Sequence, residues 1–172
     1  LEYYVAATRL SPHNAVLYNE WGQALLEMGQ REQALEKYQQ SLALDDRFPQ
    51  TYLLLGEYYL SQQQYDQAIG PYQKAVQIAP KLAQAHNALA YIYSKTGRLP
   101  EAIQEKLLIL ESYPQDYLTH KDLALLYSEA GQYTQALSMA TAARQLAPES
   151  EHKAIDDLIA QIQAGINQGT NP

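Results

Sequence analysis

The chain has 172 residues, 12 basic and 19 acidic, with a formal charge of −7 and no cysteine. The acidic balance argues against a nucleic-acid binder, which carries a basic stripe. The missing cysteines exclude a disulfide framework, a cysteine nucleophile and a thiolate metal site, and they leave the compartment open, cytoplasmic by default with periplasmic as the alternative. No run of about 18 apolar residues reads as a membrane span, and no charged-then-apolar leader segment is visible.

The first predicted element is a helix over residues 1–11, with Tyr4, Ala7 and Leu10 at helical spacing. Ser11-Pro12 stops it, because proline cannot continue the hydrogen-bond ladder and restricts the residue before it. Residues 1–14 read as the second helix of a truncated repeat, and the chain as a piece of a longer protein. The face around Tyr4, Ala7 and Leu10 is expected to be apolar and uncovered.

The stretch from Asn14 to Met28 is the pattern on which the remainder is built. It reads as one helix with large residues at Tyr18, Trp21 and Leu25 and a glycine at Gly22. Shifted by 34 residues it recurs as Tyr52, Leu55, Gly56 and Tyr59. The next copies are His86, Leu89, Ala90 and Tyr93, then His120, Leu123, Ala124 and Tyr127. A fixed period of this kind marks an array of stacked units, each touching its neighbours. The units are expected at 15–48, 49–82, 83–116 and 117–150. Each pairs its first helix with a second: Ala34, Tyr38 and Ser41; Ala68, Tyr72 and Ala75; Ala102, Lys106 and Ile109; Ala136, Ala140 and Ala143.

Packing explains the small residues. Antiparallel helices approach to ~8–10 Å only where small side chains sit at the crossing. Gly22, Gly56, Ala90 and Ala124 serve on the first helices, and Ala34, Ala68, Ala102 and Ala136 on the second. Within the second helix of the second repeat, Gly70-Pro71 predicts a kink, either tolerated on the convex side or bending the array so as to change the superhelix or seat a partner. Residues 151–166 predict a final capping helix with an apolar stripe of Ile155, Leu158, Ile159 and Ile162, followed by a tail over 167–172.

These residues resemble the tetratricopeptide repeat family. Tyr52, Leu55, Gly56, Tyr59, Ala68, Tyr72, Ala75 and Pro80 match its pattern throughout. Departures are Trp21 for the leucine, Leu25 for the tyrosine, Asp46 for the proline, and Lys106 and Ala140 for the aromatic. The resemblance covers residues 1–150. It implies an all-α, right-handed superhelical solenoid of antiparallel helix pairs with a C-terminal cap. It also implies a non-catalytic interaction scaffold that holds a partner peptide or helix in a concave groove. Carried over by frame, the groove residues are Asn19, Gln23, Leu53, Glu57, Asn87, Tyr91, Lys121 and Leu125, with Glu27, Gln84 and Lys95 at the margins. The two-carboxylate clamp of chaperone-binding members is not expected. Its places hold Asn19 and Gln23, Leu54, then Gln84 and Ala88, which give no cationic fork.

No catalytic constellation, cofactor loop or metal motif is visible. His86 and His120 sit at equivalent positions and read as packing residues, since zinc needs three or four converging ligands. Asp45-Asp46 and Asp156-Asp157 read as a turn pair and a solvated helix face. The expected partner is a protein or peptide, with no nucleic acid and no direct membrane insertion. Two other readings stay open. One is self-association through residues 1–11. The other rests on the stretch from Leu10 to Trp21, which resembles repeat tails of bacterial membrane polymerases of O-antigen type.

Overall fold

The computed structural model describes residues 1–169, and every regular element among them is a helix. In order these are α1 (Glu2–Leu10), α2 (Ala15–Glu27), α3 (Arg31–Leu44), α4 (Pro49–Leu60) and α5 (Tyr65–Ile78). They are followed by α6 (Ala83–Lys95), α7 (Leu99–Ser112), α8 (Tyr117–Glu129), α9 (Tyr133–Leu146) and α10 (Glu149–Gly169). α10 takes in the 151–166 stretch and the first residues of the expected tail, whose last three residues lie outside the described residues.

The helix ends follow from the local sequence. Asn14 caps α2 by accepting the Val16 N–H at 3.1 Å, and Asp116 caps α8 by accepting the Leu118 N–H at 3.2 Å. Phe48 holds the equivalent place without a capping bond, and α4 instead starts on Pro49, whose missing N–H costs nothing there. Between the two helices of each pair the chain reverses through a left-handed residue: Gly29, Gly97 and Gly131, at φ 76°, 75° and 72°. The fourth is Gln63 at φ 58°, where a side chain stands in a conformation that costs about 1–2 kcal/mol. One backbone bond recurs at each reversal, from the N–H of Gln30, Gln64, Arg98 and Gln132 to the carbonyl six-residue-turn partners Leu25, Tyr59, Tyr93 and Tyr127.

The chain divides into two compact units, Leu1–Ala85 and the part from His86 onward. In the first, Leu25, Ala34, Tyr38, Leu54 and Tyr58 form one buried cluster, with Trp21 packed against it. The crossings of α2 with α3 and of α4 with α5 have no room to spare. A Cβ placed on Gly22 would meet the Tyr38 ring at 2.4 Å, and one on Gly56 would meet the Tyr72 ring at 2.7 Å. A buried polar chain ties three helices together: Asn19 Nδ2 donates to Thr51 Oγ1 at 2.8 Å, Thr51 Oγ1 lies 3.3 Å from Ser41 Oγ, and Ser41 Oγ donates to the Ala15 carbonyl at 2.8 Å.

The face of α1 differs from the expectation. Tyr4 and Ala7 are half-buried, and the Tyr4 ring stacks on Trp21 at 6.2 Å between centroids. Leu10 is 86% exposed and keeps company with Tyr3 at 68%. The reason is geometric: steps of three residues fall short of a full turn, so Leu10 lies about 120° round the helix from Tyr4.

α5 runs unbroken through Pro71. The residue before a proline resists the α conformation because its Cβ meets the ring, and Gly70 has no Cβ. In the second unit, Leu123, Ile155 and Ile162 are fully buried, and α10 closes over α9 with Leu158 and Ile162 packed on Ala136 and Ala140. Gly165 lets α10 approach Tyr133, whose ring would lie 2.7 Å from an added Cβ.

Burial, followed by the nearby Glu57 and Glu27 carboxylates, pushes the Tyr38 phenol far above its ordinary range, and burial with Glu57 does the same to Tyr72. Folded-state protons held above the unfolded value stabilise fully below about pH 10 and are lost as pH rises. Above pH 10 each of these tyrosines should therefore steepen the fall of stability by up to about 1.4 kcal/mol per pH unit. Urea unfolding across pH 9–11.5 should show a shallower fall for Tyr38→Phe/Tyr72→Phe than for the wild type; equal slopes would contradict the assignment.

Candidate functional site

The second unit carries a half-open cavity of about 280 Å³ between α6 and α8. Asn87, Ala90, Tyr91 and Ser94 form one wall and Asp122, Leu125, Leu126 and Glu129 the other. Residues at these spacings share a helix face. Lys106 of α7 also lines it.

Lys106 explains why the cavity exists. It stands in register with Tyr38 and Tyr72, and Ala90 in register with Gly22 and Gly56. In the first unit the aromatic ring fills the space beside the crossing and is at most 1% exposed. Here a thin lysine stem passes instead. Its ammonium donates to Asn87 Oδ1 at 2.7 Å and to an Asp122 carboxylate oxygen. Lys106 is 9% exposed, while the Asp122 side chain is 44% exposed. The stem is thus buried, and the ion pair opens towards the cavity.

The bond from Lys106 also fixes what Asn87 can offer. A primary amide has an acceptor oxygen and a donor nitrogen. The ammonium fixes one of the oxygen's two acceptor positions and with it the orientation of the amide, whose NH₂ group keeps both of its donors in the exposed Asn87. Above it, Tyr91 and Leu125 expose 46% and 48% of their surfaces.

The structure thus brings together three of the residues expected to line a groove, Asn87, Tyr91 and Leu125. Lys121 does not join them: its ammonium pairs with Glu151 of α10 at 3.3 Å. In the first unit, Gln23 donates to Glu27 at 3.4 Å, and Glu57 accepts from Gln84 at 2.8 Å. Asn19 and Leu53 need correction as ligand contacts. They are 3% and 1% exposed: Asn19 is buried with its NH₂ group donating to Thr51, and Leu53 belongs to the core. The register that leaves Asn87 exposed is closed over in the first unit.

Sequence reasoning missed Lys106 and Asp122. The signal was a lysine in an aromatic's packing place, together with an acid sixteen residues later. His86 and His120 are both buried: His86 Nδ1 lies 2.6 Å from Glu105 Oε2, and His120 Nδ1 lies 3.0 Å from the Asp116 carbonyl. His152 Nε2 lies 3.0 Å from the Ala147 carbonyl. No group of three potential metal ligands occurs among the described residues. No described helix is long and apolar enough to cross a membrane.

Removing one partner of a buried charge costs more than replacing the charge itself by an apolar isostere. Asp122→Ala, which strands the Lys106 ammonium, should lower stability in urea by about 1–3 kcal/mol, and Lys106→Met by less than about 1 kcal/mol. The reverse order would show that the lysine stem, not its charge, holds this corner.

Two tetratricopeptide repeat family models match the chain, over residues 19–83 and 59–118. No curated protein sequence matches it. Among solved structures, it is similar to YrrB, described as a TPR protein with an unusual peptide-binding site. The TM-score is 0.81 at 18% identity, over 98% of this chain and 85% of that one. It is also similar to MamA, with a TM-score of 0.75 at 21% identity over 88% and 86% of the two chains. A third is a chain of the APC/C hetero-tetramer Cut9-Hcn1, with a TM-score of 0.71 at 22% identity over 92% of this chain and 32% of that one.

Proposed function

Since this chain belongs to the tetratricopeptide repeat family, we propose that it is a non-catalytic protein-interaction scaffold whose ligand is a peptide or helix seated between α6 and α8. The observation that carries this is the cavity beside Lys106, where exposed Tyr91 and Leu125 stand over a polar floor. Apolar anchors beside a few placed polar groups are what a recognition site needs. The peptide-binding site named for YrrB supports the same reading.

A second reading is favoured by one observation. Leu10 and Tyr3 are strongly exposed on α1, as a face that packs on a second copy would be. Sedimentation across a hundredfold concentration range decides it: a constant monomer mass removes the reading.

The groove is tested by amide-resolved NMR. The labelled protein is titrated with the strongest-binding peptide selected from a random library. Binding should move resonances along residues 87–94 and 122–129 and should weaken at least tenfold in Tyr91→Ala/Leu125→Ala. Shifts confined to α5 or α9, with the double variant binding as the wild type, would overturn the proposal.

A further inference from the structure

Resting on that groove, we infer that its ligand is an extended peptide pairing an apolar residue with a lysine or arginine one or two positions away. The cavity has two chemically different ends. At one end Asn87 presents its NH₂ group, because Lys106 fixes the orientation of its amide. An ammonium has three donors, and Lys106 spends two of them, on Asn87 and Asp122. The Asn87 amide therefore offers a donor here, beside the paired Asp122 carboxylate, and a peptide carbonyl fits it. It has little left for a carboxylate, because Asp122 already balances the one buried positive charge.

At the other end stand Ser94 and Glu129. Glu129 is exposed and is the last residue of α8, and Ser94 lies next to the last residue of α6. The C-terminal turn of a helix carries partial negative charge and favours a cation. α6 already carries Lys95 in its last turn, whereas α8 has no basic residue there, so it is the α8 end that adds to the Glu129 carboxylate. The cavity walls carry two carboxylates, Asp122 and Glu129, against the single ammonium of Lys106. Lys95 does not line the cavity, but its ammonium stands 5.5 Å from the centre of the Tyr91 ring that does, so the excess of carboxylates on the walls carries the basic preference.

Between the ends, Ala90, Tyr91, Leu125 and Leu126 form an apolar slot. The distance along α6 from Asn87 to Ser94 is about 10 Å at 1.5 Å per residue. An extended peptide covers that in about three residues. One carbonyl can meet Asn87, one apolar side chain can fill the slot, and a basic side chain can reach Glu129. Lys106 acts here as a positioning residue: it orients Asn87 and neutralises Asp122.

The test is a positional-scanning hexapeptide library read against the wild type, Glu129→Gln, Lys106→Met and Asn87→Ala/Tyr91→Ala, each verified as folded by circular dichroism. The wild type should enrich Leu, Ile or Phe together with Lys or Arg at least fivefold, with the basic preference falling as salt rises. Glu129→Gln should lose the basic preference and keep the apolar one. Lys106→Met should weaken all binding about fivefold or more and leave the basic preference intact. Enrichment of Asp or Glu, or a basic preference unchanged in Glu129→Gln, would overturn the inference while leaving the groove standing. Equal enrichment by the wild type and Asn87→Ala/Tyr91→Ala would overturn the groove reading as well.

Discussion

Where the two helices of one repeat cross, a residue on the first helix and a residue sixteen positions later on the second must share one volume. The chain meets that constraint at four crossings in three ways. Gly22 with Tyr38 and Gly56 with Tyr72 place a ring directly on a glycine, so tightly that one methyl group would collide. Ala90 with Lys106 gives the space to a lysine stem and leaves part of it open. Ala124 with Ala140 vacates it, and Leu158 and Ile162 of α10 move in. The cavity beside Lys106 and the packing of α10 on α9 are therefore two consequences of the same rule.

Polar groups follow from the same choice. In the first unit the helices close over Asn19, Thr51 and Ser41: the Asn19 NH₂ group donates to Thr51 Oγ1 inside the core, while Asn19 Oδ1 is buried with no hydrogen-bond partner among the described residues. Losing the bond to Thr51 as well would leave that amide wholly unpaired, at a cost of about 1–3 kcal/mol. In the second unit the position that corresponds to Asn19 is Asn87, and it stays exposed, held by Lys106 instead. One frame position thus lies inside the core in one place and at an exposed cavity wall in the other.

The repeat period was legible because its cause is local. Glycine at the reversals, small residues at the crossings and large residues beside them recur at a fixed spacing, and each has one physical reason. Asn87, Tyr91 and Leu125 could be placed by that frame alone. Asn19 and Leu53 could not, because frame position does not say whether a neighbouring helix covers it. Nor could Leu10, whose exposure depends on a 120° drift along a short helix that period-matching ignores. Lys106 was visible as a departure from the aromatic, but its meaning needed a third helix, since Asn87 and Asp122 meet it only in the fold.

The most direct measurement rebuilds the closed crossing at the open one. In Ala90→Gly/Lys106→Tyr the pair becomes that of Gly56 and Tyr72, and the ring should fill the cavity. The account predicts a variant at least as helical and as resistant to urea as the wild type that no longer binds the selected peptides. A folded double variant that binds them with unchanged affinity would show that the space beside Lys106 is not where the ligand sits.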